Sequence, residues 1–314
     1  MSKETIEIKD LPTDLGARSG NALRGDYANV ASDFTAAQNW HTYTDAEHDR
    51  WRRLFARQYA MCEQYAAEAF LDGLRKLDCA DAIPDFAHAS KTLRKATGWE
   101  LVAVPGFIPD DQFFAHLAER RFPVTRWIRE EHELDYLVEP DVFHDFFGHV
   151  PLLLNPAFAD FMQKYGAAGE RALAMNALPM LARIYWYNVE FGLIEENGPS
   201  KMGGLKAFGA GILSSAGETV YATTSPLPSR LRFDPVRIMR TDYAIDDFQR
   251  VYFVINSFDE LVEQLVGLDF GPIYDTWRDE PPVHPDDLLP DDRIVSVGKQ
   301  ARLPSFMTAT AGAA

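Results

Sequence analysis

A mainly α-helical domain with a few short strands is the fold this sequence predicts, and three observations carry it. Apolar residues recur at three- and four-residue steps through most of the chain, β-type runs are short, and no internal repeat or heptad run is present. With 314 residues, 46% hydrophobic and 25% charged, the chain has a globular composition and the length of one large domain or two ordinary ones.

Residues 1–35 mix charge, Gly and Ala without a sustained period and read as a flexible N-terminal arm. Thr44-Asp-Ala-Glu47 is a capping box, in which the threonine accepts from the third backbone N–H and the glutamate reaches back to the cap. It opens one long helix, whose stripe is Trp51, Leu54, Phe55, Tyr59, Cys62, Tyr65, Phe70, Leu74 and Leu77. Pro84-Asp85 opens a second helix that Gly98 stops, and residues 99–104 form a strand ended by Pro105-Gly106. A helix over 109–120 and a strand over 122–128 follow. Beyond 140 the helical signals dominate, one opening at Pro140-Asp141, one over 156–165, and one over 178–194 with almost no polar face. A small-residue stretch at 206–223, an apolar run at 251–255 and a helix over 259–266 complete a domain spanning 36–296. Within it, 279–292, with six acids and four prolines, reads as a solvated wrap; residues 297–314 read as a disordered C-terminal tail.

The balance of 31 Lys+Arg against 47 Asp+Glu gives a formal charge of −16, which repels polyanions and excludes nucleic acid as a partner. The cluster Arg50, Arg52, Arg53 and Arg57 is spaced like the wet face of a helix, with Asp45, Glu47 and Asp49 beside it. Two cysteines, Cys62 and Cys79, form no disulfide framework, and no apolar stretch approaches the ~18 residues that span a bilayer. MSKETIEIKDLP has no signal-peptide core, so a cytoplasmic protein with no membrane contact is expected.

Glycine signatures do not supply the chemistry. The segment from Gly203 through Gly209 to Gly211 lacks both the Lys-Ser/Thr ending of a phosphate loop and a β-branched strand before it. No Gly-x-Ser-x-Gly elbow is present, and both cysteines sit on or beside a packed helix. The remaining candidate is His144-Asp-Phe-Phe-Gly-His149, set among Phe143, Phe146, Phe147, Val150 and Leu152. With 8 histidines in the chain the spacing alone carries little, but two imidazoles in so apolar a setting need partners. Zinc proteases place His at i and i+4 beside a glutamate; a step of five on a continuous helix turns the second ring about 140° away. Gly148 is expected to resolve this by ending the helix just before His149. Glu190 is a carboxylate deep in an apolar run, for which a metal or a bond to a tyrosine or Arg183 are equal accounts. Glu170, Glu195, Glu196 and Glu218 compete with it as third ligand. Two imidazoles and one carboxylate with open positions describe non-haem Fe(II) oxygenases.

At these residues a resemblance enters. The string EPDVFHDFFGHVPLL, then ARIYWYNVEFGLI, then KAFGAGILSSAGE closely resembles the pterin-dependent aromatic amino acid hydroxylases, and most closely their short bacterial members that act on phenylalanine; the match runs from about Trp99 to Phe270. It implies a single catalytic domain of that type, hydroxylating L-phenylalanine with O2. It implies a mononuclear Fe(II) on His144, His149 and Glu190, and tetrahydrobiopterin or a related tetrahydropterin as reductant. For the pterin, it implies stacking on Phe113, the loop Gly106, Phe107 and Ile108 alongside, and Asp145 and Tyr185 nearby. For the substrate, it implies Arg129 on the carboxylate, Asp141 bracing that arginine, Trp186 against the ring, and Ser214 anchoring the substrate or a ligand histidine.

Leu137 stands where animal members carry threonine, and the chain has room for neither their regulatory domain nor their tetramer helix, so a monomer is expected. Hydroxylation of tryptophan or tyrosine is the alternative within the family. A helical binding protein keeping the metal site as a remnant and a zinc hydrolase are the readings outside it.

Overall fold

The computed structural model describes residues 24–135, 137, 139–196, 204–245, 247–266 and 268–303. Helix α1 (Asp45–Tyr65) begins at the expected capping box, with Glu47 N donating to Thr44 Oγ1 at 3.3 Å and Thr44 N donating to Glu47 at 2.7 Å. It does not continue to Leu77. Ala66 turns extended, pairs with Ala207 of a distant strand, and Ala67 N donates to Ala207 O at 2.8 Å. Two small residues let that strand approach the backbone, and the apolar stripe resumes in α2 (Glu68–Leu77). On the wet face of α1, Arg50, Arg53 and Arg57 pair with Glu130, Glu131 and Asp135.

Helix α3 (Phe86–Thr97) is capped by Asp85 and stopped by Gly98 at φ +79°, a backbone that glycine adopts freely. Strands β1 (Glu100–Val104) and β2 (Arg121–Thr125) are parallel, joined across α4 (Asp110–Ala118). That helix lies on α5 (Pro156–Ala174) at van der Waals distance: a side chain at Gly169 would fall 2.1 Å from the Phe114 ring. Helix α5 runs well past the end expected at 165.

The two segments expected to be ordinary helices are not. Phe143–His149 is π-helical and passes into a 3-10 turn, Val150–Leu154. Helix α6 (Leu178–Ile184) opens into a second π-helical turn, Tyr185–Glu190, after which β3 (Leu193–Glu195) has replaced the helix expected to run to 194. β3 lies in a five-stranded sheet ordered β4 (Leu205–Ala207), β3, β6 (Val251–Ile255), β5 (Ser229–Arg232) and β7 (Ile294–Ser296). β3, β6 and β5 are parallel; β4 and β7 close the edges antiparallel. β6 is buried along its whole length, as the central strand of a covered sheet must be. The short α7 (Ala210–Leu213) and α8 (Ala216–Thr224) follow β4, and α9 (Pro235–Met239), α10 (Phe258–Val266) and α11 (Phe270–Trp277) complete the α-helices among the described residues.

The core is aromatic around the first π turn. Phe143 and Phe147 stack at 4.8 Å, with Trp51, Phe55 and Phe70 edge-on against them. Packing passes both expected limits of the domain. Tyr27, Val30 and Phe34 are buried with Val104 and Ile108, so the part of the expected arm from Tyr27 on is fastened to β1; residues 1–23 lie outside the described residues. At the other end Arg302 pairs with Asp287, and residues 304–314 of the expected tail lie outside the described residues. The acidic wrap is pinned rather than merely solvated: Asp292 accepts from the buried Arg237 at 2.8 Å and Asp286 from Arg250 at 2.8 Å. A buried guanidinium needs acceptors, and for Arg237 the wrap supplies a carboxylate.

Candidate metal centre

The spacing conflict between His144 and His149 is resolved by the π turn, not by an end at Gly148. A turn closed by i to i+5 bonds is wider than an α-turn, so residues five apart come round to one face. Gly148 stays inside the turn, and His149 keeps a right-handed helical backbone (φ −100°, ψ −44°). What the glycine provides is room: a Cβ there would lie 2.8 Å from that of Ala210.

Both rings meet Glu190, the last residue of the second π turn. His149 Nε2 lies 3.2 Å from Glu190 Oε1 and His144 Nε2 lies 3.5 Å from Oε2; one ligand atom from each residue falls within 4.8 Å of the others. Among the described residues no other group of three His, Cys, Asp or Glu converges in this way. The competing acids are accounted for elsewhere. Glu195 pairs with Arg232, Glu196 accepts from Glu68 N, Glu218 accepts from Tyr252, and Glu170 is exposed.

Burial alone pushes the Glu190 carboxyl up, but the facing imidazoles outweigh it and hold the group far below the usual carboxylate range. Burial pulls His144 down, and Glu190 more than reverses it. A divalent cation here would displace the imidazole protons and leave two neutral imidazoles and an ionised carboxylate as its ligands, a donor set with open positions that suits Fe(II). Ser214 Oγ lies 2.9 Å from His144 Nδ1, fixing that ring from behind. The glycine-rich block serves this centre through packing: a Cβ at Gly209 would lie 2.3 Å from Glu190 O, and one at Gly211 3.1 Å from it. Gly203 of that block lies outside the described residues.

The substrate-side candidates lie one bond away. Asp141 is fully buried and accepts from Arg129 three times, from its N–H at 2.8 Å and from Nε and Nη2 at 2.9 Å each. It also accepts from His144 N at 3.0 Å, so the brace of the arginine and the backbone of the first ligand share one carboxylate. Burial pushes the Asp141 carboxyl up, and Arg129 outweighs this and holds it low. Trp186 stacks on Tyr243 with ring centroids 4.3 Å apart.

On the other side, the Phe113 and Tyr185 rings meet edge to face at 5.5 Å, and Tyr185 lies 6.0 Å from the His149 ring. Asp145 accepts from Thr125 N at 2.7 Å, and burial raises its carboxyl. Gly106 lies against Glu139, whose Oε1 a Cβ would approach to 2.6 Å; Tyr27 donates to Phe107 O at 2.8 Å, and Ile108 is buried beside it. Sequence reasoning missed Tyr27, Thr125, Tyr243 and Gln249, because each reaches the site from a remote part of the chain with no local pattern to mark it.

The profile of the biopterin-dependent aromatic amino acid hydroxylases matches residues 18–269, and the chain belongs to that family. Within it, the chain is 51% identical to phenylalanine-4-hydroxylase of Chromobacterium violaceum, over 91% of this chain and 93% of that one. It is 50% identical to the enzyme of the same name from Caulobacter vibrioides, over 90% and 95%. The crystal structure of the C. violaceum enzyme with iron and phenylalanine bound superposes with a TM-score of 0.79 at 50% identity, covering 85% of this chain and 96% of that one.

Proposed function

We propose that this chain is a phenylalanine 4-monooxygenase, converting L-phenylalanine to L-tyrosine with O2 and a tetrahydropterin at an Fe(II) held by His144, His149 and Glu190. The observation that carries it is the convergence of those three side chains, in a chain half identical to phenylalanine-4-hydroxylases along nearly all of its length. When bound, Fe(II) and the reduced pterin supply the electrons that activate O2 for attack on an aromatic ring.

The protein's part is holding and orienting. Ser214 fixes the His144 ring, and Gly209 lets α7 press on the turn that presents Glu190. Arg129 takes the substrate carboxylate; with Nε and Nη2 committed to Asp141, the guanidinium is fixed in plane before the ligand arrives, which lowers the ordering cost of binding. Trp186 walls the pocket for the substrate ring. Phe113 stacks on the pterin, with Tyr185 and Asp145 beside it and Gly106, Phe107 and Ile108 along its edge. The catalytic domain takes in residues 36–296 together with the packed segments from Tyr27 and to Arg302, acting as a monomer in the cytoplasm without nucleic-acid partners; no helix among the described residues is long and apolar enough to cross a membrane.

The test is to supply apo-protein with Fe(II), a tetrahydropterin and each of phenylalanine, tyrosine and tryptophan, following product and pterin oxidation. Preferred hydroxylation of phenylalanine, dependent on both Fe(II) and pterin, is expected. Activity restored by Zn(II) alone, or indifferent to pterin, contradicts the proposal.

A further inference from the structure

Behind Trp186 lies a chain of buried polar contacts. Trp186 Nε1 donates to Gln249 Oε1 at 3.0 Å. Gln249 is only 3% exposed, and its amide is used at both ends, Nε2 donating to Ala244 O at 3.0 Å and to Asp247 O at 3.3 Å. Its backbone N–H donates to Glu218 Oε1 at 3.2 Å, and the same oxygen accepts from Tyr252 OH at 2.7 Å. Glu218 stands in the first turn of α8, whose N-cap, Ser215, follows Ser214, the residue behind His144.

None of these bonds closes a helix or a sheet ladder. Burial pushes the Glu218 carboxyl up to about 7, so the acid is retained in a setting that disfavours its charge. An acid and an amide buried together demand partners, and through the Gln249 side-chain oxygen this chain of bonds reaches the Trp186 indole. Tyr243 is fixed by the same device, because the segment carrying it is tethered at Ala244 O by Gln249 and its ring carries the Trp186 stack.

We infer that Glu218 and Gln249 are positioning residues for the substrate pocket: Glu218 fixes the Gln249 backbone, and Gln249 fixes the Trp186 indole against Tyr243, setting the wall that receives the aromatic ring. The inference rests on the reading of Trp186 as that wall. Without the Gln249 acceptor the indole N–H loses its partner, and the half-buried ring is free to turn toward water. The substrate then meets a wall of different tilt while the pterin side, built on Phe113 and Tyr185, is untouched.

The experiment measures L-phenylalanine binding to the anaerobic Fe(II)-loaded protein by calorimetry, KM for phenylalanine and for tetrahydropterin, and the near-ultraviolet circular dichroism band that Trp186→Phe removes. Gln249→Leu is expected to weaken phenylalanine binding on the order of tenfold, the scale of one buried hydrogen bond to a site group, with tetrahydropterin KM within about twofold of wild type. The Trp186 band should collapse in the same variant with neither metal nor ligand present. Glu218→Gln keeps the accepting oxygen and should keep binding, whereas Glu218→Leu should reproduce Gln249→Leu. If Gln249→Leu does not fold, Gln249→Met reads the same loss through a more adaptable side chain.

Phenylalanine affinity unchanged in the Gln249 variant, or phenylalanine and pterin KM rising together in Gln249→Leu and Glu218→Leu, overturns the inference. Phenylalanine bound by the wild type without Fe(II)- and pterin-dependent turnover would instead refute the proposed function, and the binding comparison would still decide this one.

Discussion

Asp141→Asn isolates the charge of the carboxylate that joins the substrate arginine to the metal-site backbone. The substitution keeps shape and one acceptor but removes the charge facing Arg129, which is 5% exposed and donates three hydrogen bonds to Asp141. Breaking a buried pair by removing one partner typically costs about 3–5 kcal/mol, and the retained amide oxygen places this variant near the lower end, at about 3 kcal/mol. Against a total stability of about 5–15 kcal/mol the variant stays folded, and urea unfolding at neutral pH reads the loss as a lower midpoint with unchanged slope.

The pH dependence has a definite sign. Arg129 outweighs burial and holds the folded-state carboxyl of Asp141 below its unfolded value, so its stabilisation is present above the unfolded value, about 3.9, and is lost as pH falls through the folded one. The gap between wild type and Asp141→Asn should therefore be full at pH 6–7, about 3 kcal/mol, and close on acidification below about 4. Phenylalanine KM should rise with it, because an unbraced guanidinium must be ordered by the substrate itself. A gap under about 0.5 kcal/mol at neutral pH, or one that widens in acid, refutes the reasoning.

Other residues give independent checks. Ser214→Ala, by freeing the His144 ring, should weaken Fe(II) binding by about 10–100-fold in a chelator competition while leaving the fold's melting temperature nearly unchanged. Phe113→Ala should raise the tetrahydropterin KM by roughly fivefold, the scale of one aromatic stack, with a much smaller change for phenylalanine; equal changes would remove its stacking role. Gly209→Ala forces a methyl against Glu190 O, and should destabilise by about 1–3 kcal/mol and weaken Fe(II) together, seen in parallel thermal and metal titrations.

Much of the fold was legible because its signals are local. The box at Thr44, the Asp85 cap, the Gly98 stop and the 251–255 run each mark themselves within a few residues. What escaped depends on distant partners. Nothing around Ala66 announces that Ala207 will interrupt the stripe, and the acids of 279–292 look solvated until Arg237 and Arg250 are placed beside them. The metal site was legible as a set of residue types and illegible as geometry. A five-residue histidine step fits poorly on an α-helix, and it took the π turn to show how His144 and His149 share a face. Arg129, followed at once by three glutamates, has the local look of a surface charge, and its place at the site came from resemblance to a family rather than from pattern.

The central claim is that His144, His149 and Glu190 bind Fe(II) as one site that supports pterin-dependent hydroxylation. Its most direct measurement is an anaerobic Fe(II) titration of wild type, His144→Ala and Glu190→Gln, followed by a single turnover with phenylalanine and tetrahydropterin in each. One Fe(II) per chain with tyrosine formed by the wild type, and loss of both metal and product in either variant, is the expected result. Tyrosine formed at the wild-type rate by a variant lacking one of the three ligands would contradict it.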